Sequence, residues 1–235
     1  MWLSGRADAI LPEPVHTHPR RPVPLSEDAT LLLEPGFEAR VRSHLQGFQR
    51  IALPLQGRRA AAVIVVLQPD AEGNACFLLT RRAARLRAHG GQWALPGGRM
   101  DEAETAEEAA LRELREELGV ALPTAYVAGV LDDYATRSGY VITPVVAVSA
   151  VSNALVPDPR EVASVHCVPL VTLEGPDVPR VRFIPESDRP VLSLPLLGTH
   201  IHAPTAAVLY QMREVAIHGR TTRVAHFEQP VFAWR

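Results

Sequence analysis

The stretch "PGGRMDEAETAEEAALRELREELGV", residues 96–120, governs the reading of the whole chain. Its spacing predicts a helix over about 104–118, with Gly119 as the stop signal. Glu113, Glu116 and Glu117 are three and four residues apart, so their side chains share one helix face. Like charges in that arrangement cost about 0.2–0.5 kcal/mol per pair unless something compensates. With Glu113 at zero and about 100° per residue, Glu116 falls near 300° and Glu117 near 40°. Leu111, Leu114 and Leu118 fall at about 160°, 100° and 140°, a separate apolar stripe suited to a sheet. Arg112, at about 260°, sits beside Glu116. The acidic arc therefore borders the buried stripe, a poor place for a merely solvated face. Hard divalent cations take several oxygen ligands, and a cluster of carboxylates at a core margin matches that demand.

The preceding glycines matter as much. Gly97 and Gly98 let the backbone approach a bound ion or phosphate with no Cβ in the way, and a carbonyl there can complete an oxygen shell. Glu102, Glu107 and Glu108 are expected to be solvated helix-start charges favoured by the helix dipole.

Composition bounds the rest. The 235 residues are 47% hydrophobic and 21% charged, enough apolar material for a proper core. A net charge of −2 gives no broad basic excess to attract nucleic acid. The cations are all arginine; with no lysine, Schiff-base and lysine-nucleophile chemistry is excluded. Cys76 and Cys167 are far apart, without metal-type spacing, which argues against a disulfide framework and fits a reducing compartment. The apolar run "AAAVIVVL" (60–67) is too short to span a bilayer, and the start lacks the apolar centre of a secretory signal. The expectation is a soluble, cytoplasmic protein with no membrane partner.

Along the chain, residues 1–30 form a Pro- and Arg-rich arm whose His16 and His18 are expected to be solvated. A short amphipathic helix near 36–50 completes an N-terminal extension, 1–49. Strands are expected at 60–68, 74–82, 126–136 and 140–150, a strand or bend at 161–170, and a hairpin over 181–187 and 191–198. A closing helix covers 203–219. The main domain spans 50–217 and a tail 218–235. Strands flanked by helices predict an α/β/α layered domain with a mixed central sheet and one core.

Counted from Gly98, the stretch runs Gly, five residues, Glu104, seven residues, Arg112-Glu113-Leu114, one residue, Glu116-Glu117, one residue, Gly119-Val120. This resembles the Nudix box, G-x5-E-x7-R-E-U-x-E-E-x-G-U with U aliphatic, at every fixed position. The resemblance, over about 50–217, implies an α/β/α sandwich that binds Mg²⁺ or Mn²⁺ and hydrolyses a nucleoside diphosphate linked to another moiety. It makes Glu113, Glu116 and Glu117 metal ligands, Gly98 a carbonyl ligand, and Arg112 an orienter of the carboxylates. Glu104 becomes an outer-shell acceptor or a capping side chain.

Upstream, "LLTRRAARLRAHGGQWALPGG" (78–98) is similar to the signature of coenzyme A diphosphatases within that family, L-L-T-x-R-[SA]-x3-R-x3-G-x3-F-P-G-G. Leu78, Leu79, Thr80, Arg82, Ala83, Arg87, Gly91, Pro96, Gly97 and Gly98 match; Leu95 stands where Phe is expected. The substrate so implied is a coenzyme A-like diphosphate, cleaved to 4′-phosphopantetheine and adenosine 3′,5′-bisphosphate. Its phosphates call for always-charged bidentate donors, for which Arg82 and Arg87 are the choice, with His89 beside them. Thr136, Ser138 and Tyr140 are placed on the far wall. Glu161 is the general base outside the box, with Glu116 competing. Two rivals remain: hydrolysis of another nucleoside diphosphate derivative, such as ADP-ribose or a dinucleoside polyphosphate, and a non-catalytic Nudix-fold sensor. The arm serves dimerisation into a homodimer, another partner contact, or nothing beyond a passive flap.

Overall fold

The computed structural model describes residues 36–86 and 89–234. The arm with His16 and His18, and Arg87, lie outside the described residues. In chain order the elements are helix α1 (Phe37–Gly47), strands β1 (Arg59–Pro69), β2 (Ala75–Arg82), β3 (Trp93–Ala94) and β4 (Gly97–Arg99), and helix α2 (Ala106–Leu118). Then follow β5 (Val127–Val130), β6 (Tyr134–Ala135), β7 (Tyr140–Val148), β8 (Val162–Pro169), β9 (Arg180–Ile184), β10 (Ser187–Leu196), β11 (Thr199–His202) and α3 (Thr205–Met212).

The apolar run of β1 explains the layering. Successive side chains on a strand point to opposite faces. Val65 and Leu67 enter one buried cluster, while Ala62, Ile64 and Val66 enter another. A strand covered on both faces needs a near-continuous apolar run, which β1 has. α2 covers one face through Ala109, Ala110, Leu114 and Leu118. α1 and α3 cover the other, with Phe37, Val41 and Leu45 of α1 spaced four apart. The result is an α/β/α sandwich, as expected. Its sheet is mixed: β1 is parallel to β7 and antiparallel to β2 and β4. The path β3-β2-β1-β7-β5 is joined by β4 on β1, β6 on β7 and β8 on β2.

The hairpin β9–β10 forms as expected and is extended by β11 into a three-stranded sheet. Leu192, Leu194 and Ile201 join the cluster that holds α3, so this sheet adds a wall to the existing core. Val224, Phe227 and Ala233 of the tail are buried there too. α3 continues through a π-helical turn, Arg213–Ile217. No helix among the described residues is long and apolar enough to cross a membrane.

Two expectations are corrected. The strand expected over 126–136 is broken into β5 and β6. Between them the buried Asp132 and Asp133 accept the backbone N–H groups of Ile51 and Leu53, each at 2.8 Å. Asp132 also accepts from Gln211 at 2.8 Å and pairs with Arg223 at 2.6 Å, while Asp133 accepts from Thr143 at 2.7 Å and pairs with Arg50 at 2.6 Å. Two buried carboxylates require such partners, and the backbone turns away from ladder pairing to supply them. Second, Cys76 and Cys167 are joined as a disulfide across a sequence separation of 91, with Cα atoms 5.7 Å apart. Antiparallel pairing puts Cys167 opposite Leu78 and Cys76 opposite Pro169, so the two cysteines are diagonal neighbours on one face. Linear spacing could not show this, and cysteine usage no longer points to a reducing compartment.

Candidate functional site

The site is built where β4 meets α2. Gly97 and Gly98 pair with Val63 and Ala62 of β1. A Cβ on Gly97, whose φ is +154°, would stand 2.6 Å from Val63 Cα, so only glycine lets the strands close. A Cβ on Gly98 would stand 2.5 Å from the Glu113 carboxyl carbon. The Glu113 carboxylate thus lies directly against the Gly98 backbone.

α2 starts from a reciprocal cap. Thr105 Oγ1 accepts the Glu108 N–H at 3.2 Å, and Glu108 Oε2 accepts the Thr105 N–H at 2.8 Å. Glu108 is an exposed charge in the first turn, as expected, and in addition closes the cap; the signal for the cap was the Thr-x-x-Glu spacing. The expected apolar stripe exists: Leu114 and Leu118 are fully buried, and Leu111 packs beside them.

Arg112 organises the acidic arc. It donates to both Glu104 oxygens at 2.9 and 3.0 Å, to Glu113 Oε1 at 2.8 Å, to Glu116 Oε2 at 3.3 Å and to the Arg99 carbonyl at 2.9 Å. The Arg112 hydrogen bonds hold the Glu104 carboxyl below the usual range. Burial pushes Glu113 up, against the pull of Arg112. Glu116 is the most exposed of the three. Glu117 is 3% exposed, and burial pushes its carboxyl up to about 8. Its stabilising partners are weak: Arg82 Nη1 at 3.7 Å and the Gly97 N–H at 3.3 Å. Glu161, at the head of β8, adds repulsion to both Glu113 and Glu117, so its charge belongs to the same field.

Among the described residues, no three His, Cys, Asp or Glu side chains converge as a ready-made cage for an ion. Arg112 draws Glu113 and Glu116 to itself, while Glu117 turns inward to Gly97. The donor chemistry nonetheless fits a hard divalent cation: carboxylate oxygens at a core margin, one of them buried and starved of positive charge, beside a backbone with no Cβ. A cation there would offset the cost of ionising Glu117.

β4 also borders a cavity of about 750 Å³. Its wall includes the expected Arg82, His89, Gly97, Gly98, Thr136, Ser138 and Tyr140, but not the three box glutamates. His89, at φ +58°, has Nδ1 3.2 Å from Gln92 Oε1, a contact that braces its loop. Arg85 turns away to the Pro159 carbonyl at 2.8 Å. Sequence reasoning missed Arg99, which donates to the Tyr140 hydroxyl at 3.1 Å. It also missed the opposite wall, where β11 and the tail supply His200, His202, Gln229 and Phe232. No local pattern announces that wall, because it forms only when the chain end folds back.

The NUDIX domain family model matches residues 57–186. The chain is similar to a Nudix hydrolase, NudL, of Pectobacterium atrosepticum that is named uncharacterized: 39% identity over 118 residues, 50% of this chain and 60% of the relative. The corresponding protein of Citrobacter koseri is 39% identical over 117 residues, covering 49% and 59%. The chain thus spans less than two thirds of the length of these curated relatives. Among solved structures, a MutT/nudix family protein from Enterococcus faecalis superposes with a TM-score of 0.51 at 16% identity, over 71% of this chain and 65% of that one, a likeness of fold. With the family match running over more than half of the 235 residues and the box set on β4 and α2, this chain belongs to the Nudix family.

Proposed function

We propose that the protein is a metal-dependent diphosphatase that hydrolyses coenzyme A or an acyl-coenzyme A. The observation that carries this reading is the buried Glu117 beside Gly97 and Gly98, at the edge of a cavity large enough for a nucleotide-sized ligand. Glu113, Glu116 and Glu117 would hold Mg²⁺ or Mn²⁺, with the Gly98 carbonyl. A cation bound there would neutralise diphosphate charge and supply Lewis acidity to its oxygens.

The chain's own residues do the rest. Arg112 keeps Glu113 and Glu116 oriented and cannot lose its charge. Arg82 faces Glu117 and lines the cavity, so it can turn a guanidinium to the diphosphate. Water attacks one phosphorus in line; a new P–O bond forms, the bridging P–O bond breaks, and its electron pair leaves with the other phosphate. Glu161 is assigned as the acceptor of the water proton, with Glu116 as its competitor. The coenzyme A assignment is supported by the match of the 78–98 loop to that subfamily's signature, with Arg82 in the cavity wall. Arg87 keeps its assigned phosphate role on the motif alone.

The test is to incubate purified protein with coenzyme A, ADP-ribose and dinucleoside polyphosphates, each with Mg²⁺ or Mn²⁺, and to identify the products by mass. 4′-Phosphopantetheine and adenosine 3′,5′-bisphosphate are expected. Intact coenzyme A alongside cleaved ADP-ribose would move the substrate assignment to another nucleoside diphosphate derivative.

A further inference from the structure

The cavity wall built by β11 and the tail is chemically distinct from the box. Phe232 is 58% exposed, an unusual state for a large aromatic that lines a cavity. Its ring meets His202 edge-on, with centroids 5.4 Å apart at 78°. His202 Nδ1 is buried and has no hydrogen-bond partner among the described residues. Burial also holds the His202 imidazole below its usual pKa, so near neutrality the ring is uncharged and can either accept or donate at its edge.

Gln229 stands beside them. Its Oε1 accepts the Arg137 N–H at 2.6 Å, which fixes the carboxamide and leaves Nε2 as the group that can face the cavity. The wall is held in place from behind. Glu228 accepts Arg137 Nη2 at 2.5 Å, the Trp234 indole donates to the Gln229 carbonyl at 2.8 Å, and the Tyr134 hydroxyl donates to the Phe227 carbonyl at 2.9 Å. The tail is therefore a fixed surface that offers an exposed aromatic ring and the Gln229 amide, with His202 of β11 beside them.

We propose that His202, Gln229 and Phe232 form the pocket for the planar nucleobase of the substrate, with Phe232 as the stacking face and the His202 imidazole and Gln229 Nε2 bordering the ring edge. This rests on the reading of the cavity as a nucleoside diphosphate site and adds which half of the substrate goes where. A base presents these two needs together, a flat face and a hydrogen-bonding edge. The pantetheine arm has no flat face and would leave Phe232 without a stacking partner.

The test is calorimetric binding of three probes to the full chain: AMP, ribose 5-phosphate and 4′-phosphopantetheine. AMP should bind at least about tenfold more tightly than ribose 5-phosphate, because only the base differs. Phe232→Ala, at an exposed position that leaves the fold intact, should lose most of that ratio, and so should His202→Ala. Phe232→Trp should keep it, and none of the three should change 4′-phosphopantetheine binding. Equal binding of AMP and ribose 5-phosphate by the native chain would overturn the proposal. So would a ratio untouched by Phe232→Ala and His202→Ala, or variants that weaken 4′-phosphopantetheine instead. If coenzyme A is not cleaved but the AMP ratio depends on Phe232, the substrate reading fails and the base pocket stands. Cleavage of coenzyme A with no such ratio gives the reverse.

Discussion

The Glu113 carboxylate rests on the Gly98 backbone so closely that a Cβ there would stand 2.5 Å from its carboxyl carbon. The clash falls on the far end of a flexible side chain, so Glu113 can swing away while the fold survives. Gly98→Ala should therefore change stability by under about 1 kcal/mol. It should nonetheless lower kcat by about a hundredfold, since a displacement near 1 Å at a reacting centre has that effect. Urea unfolding and steady-state kinetics on the same preparation check the pair of outcomes.

Glu117 gives the metal-free protein a distinctive pH dependence. Its folded carboxyl is pushed up from an ordinary 4.5 to about 8 by burial. Between those values the folded chain holds a proton that the unfolded chain has lost. This contribution to stability is fully present below about 4.5 and is lost as pH rises to about 8. In EDTA, the urea midpoint should fall between pH 5 and pH 8, and Glu117→Gln should flatten that fall. The same variant should lose about two to three orders of magnitude in turnover with metal present.

Arg112 grips both oxygens of Glu104 with one guanidinium edge while reaching Glu113. Lysine offers a single point charge and cannot make that fork. Arg112→Lys should keep the charge but release Glu113 or Glu104, lowering kcat about tenfold or more with a smaller change in KM. Kinetics over a range of Mg²⁺ concentrations would show the loss as a higher metal requirement.

A control separates fold from chemistry. Thr105 caps α2, and its side chain hydrogen-bonds Glu108, which holds no assigned role in the chemistry. Thr105→Ala should cost about 1 kcal/mol of stability and leave kcat/KM within about twofold. Thermal unfolding and kinetics test this directly.

The residues visible in the sequence are those whose roles are local. The Glu113, Glu116 and Glu117 arc, the leucine stripe and Arg112 follow from helical periodicity, because α2 carries them all. β1 was legible because a strand buried on both faces needs an unbroken apolar run. Asp132 and Asp133 were not, since the backbone groups that bond them belong to residues 51 and 53, some eighty positions away. The Cys76–Cys167 bond depends on the register of β2 and β8. The wall of His202, Gln229 and Phe232 depends on where the tail packs after α3. Glu108 differs: the Thr105-x-x-Glu108 cap was present as a pattern but was outweighed by the crowd of charges around it.

The central claim is that a divalent cation makes this crowded acidic face tolerable. The most direct measurement is Mn²⁺ titration of the protein, with free Mn²⁺ followed by electron paramagnetic resonance, in the native chain and in Glu117→Gln. The native chain should take up Mn²⁺ stoichiometrically and the variant should lose that uptake. No uptake by the native chain, or equal uptake by both, would contradict the account.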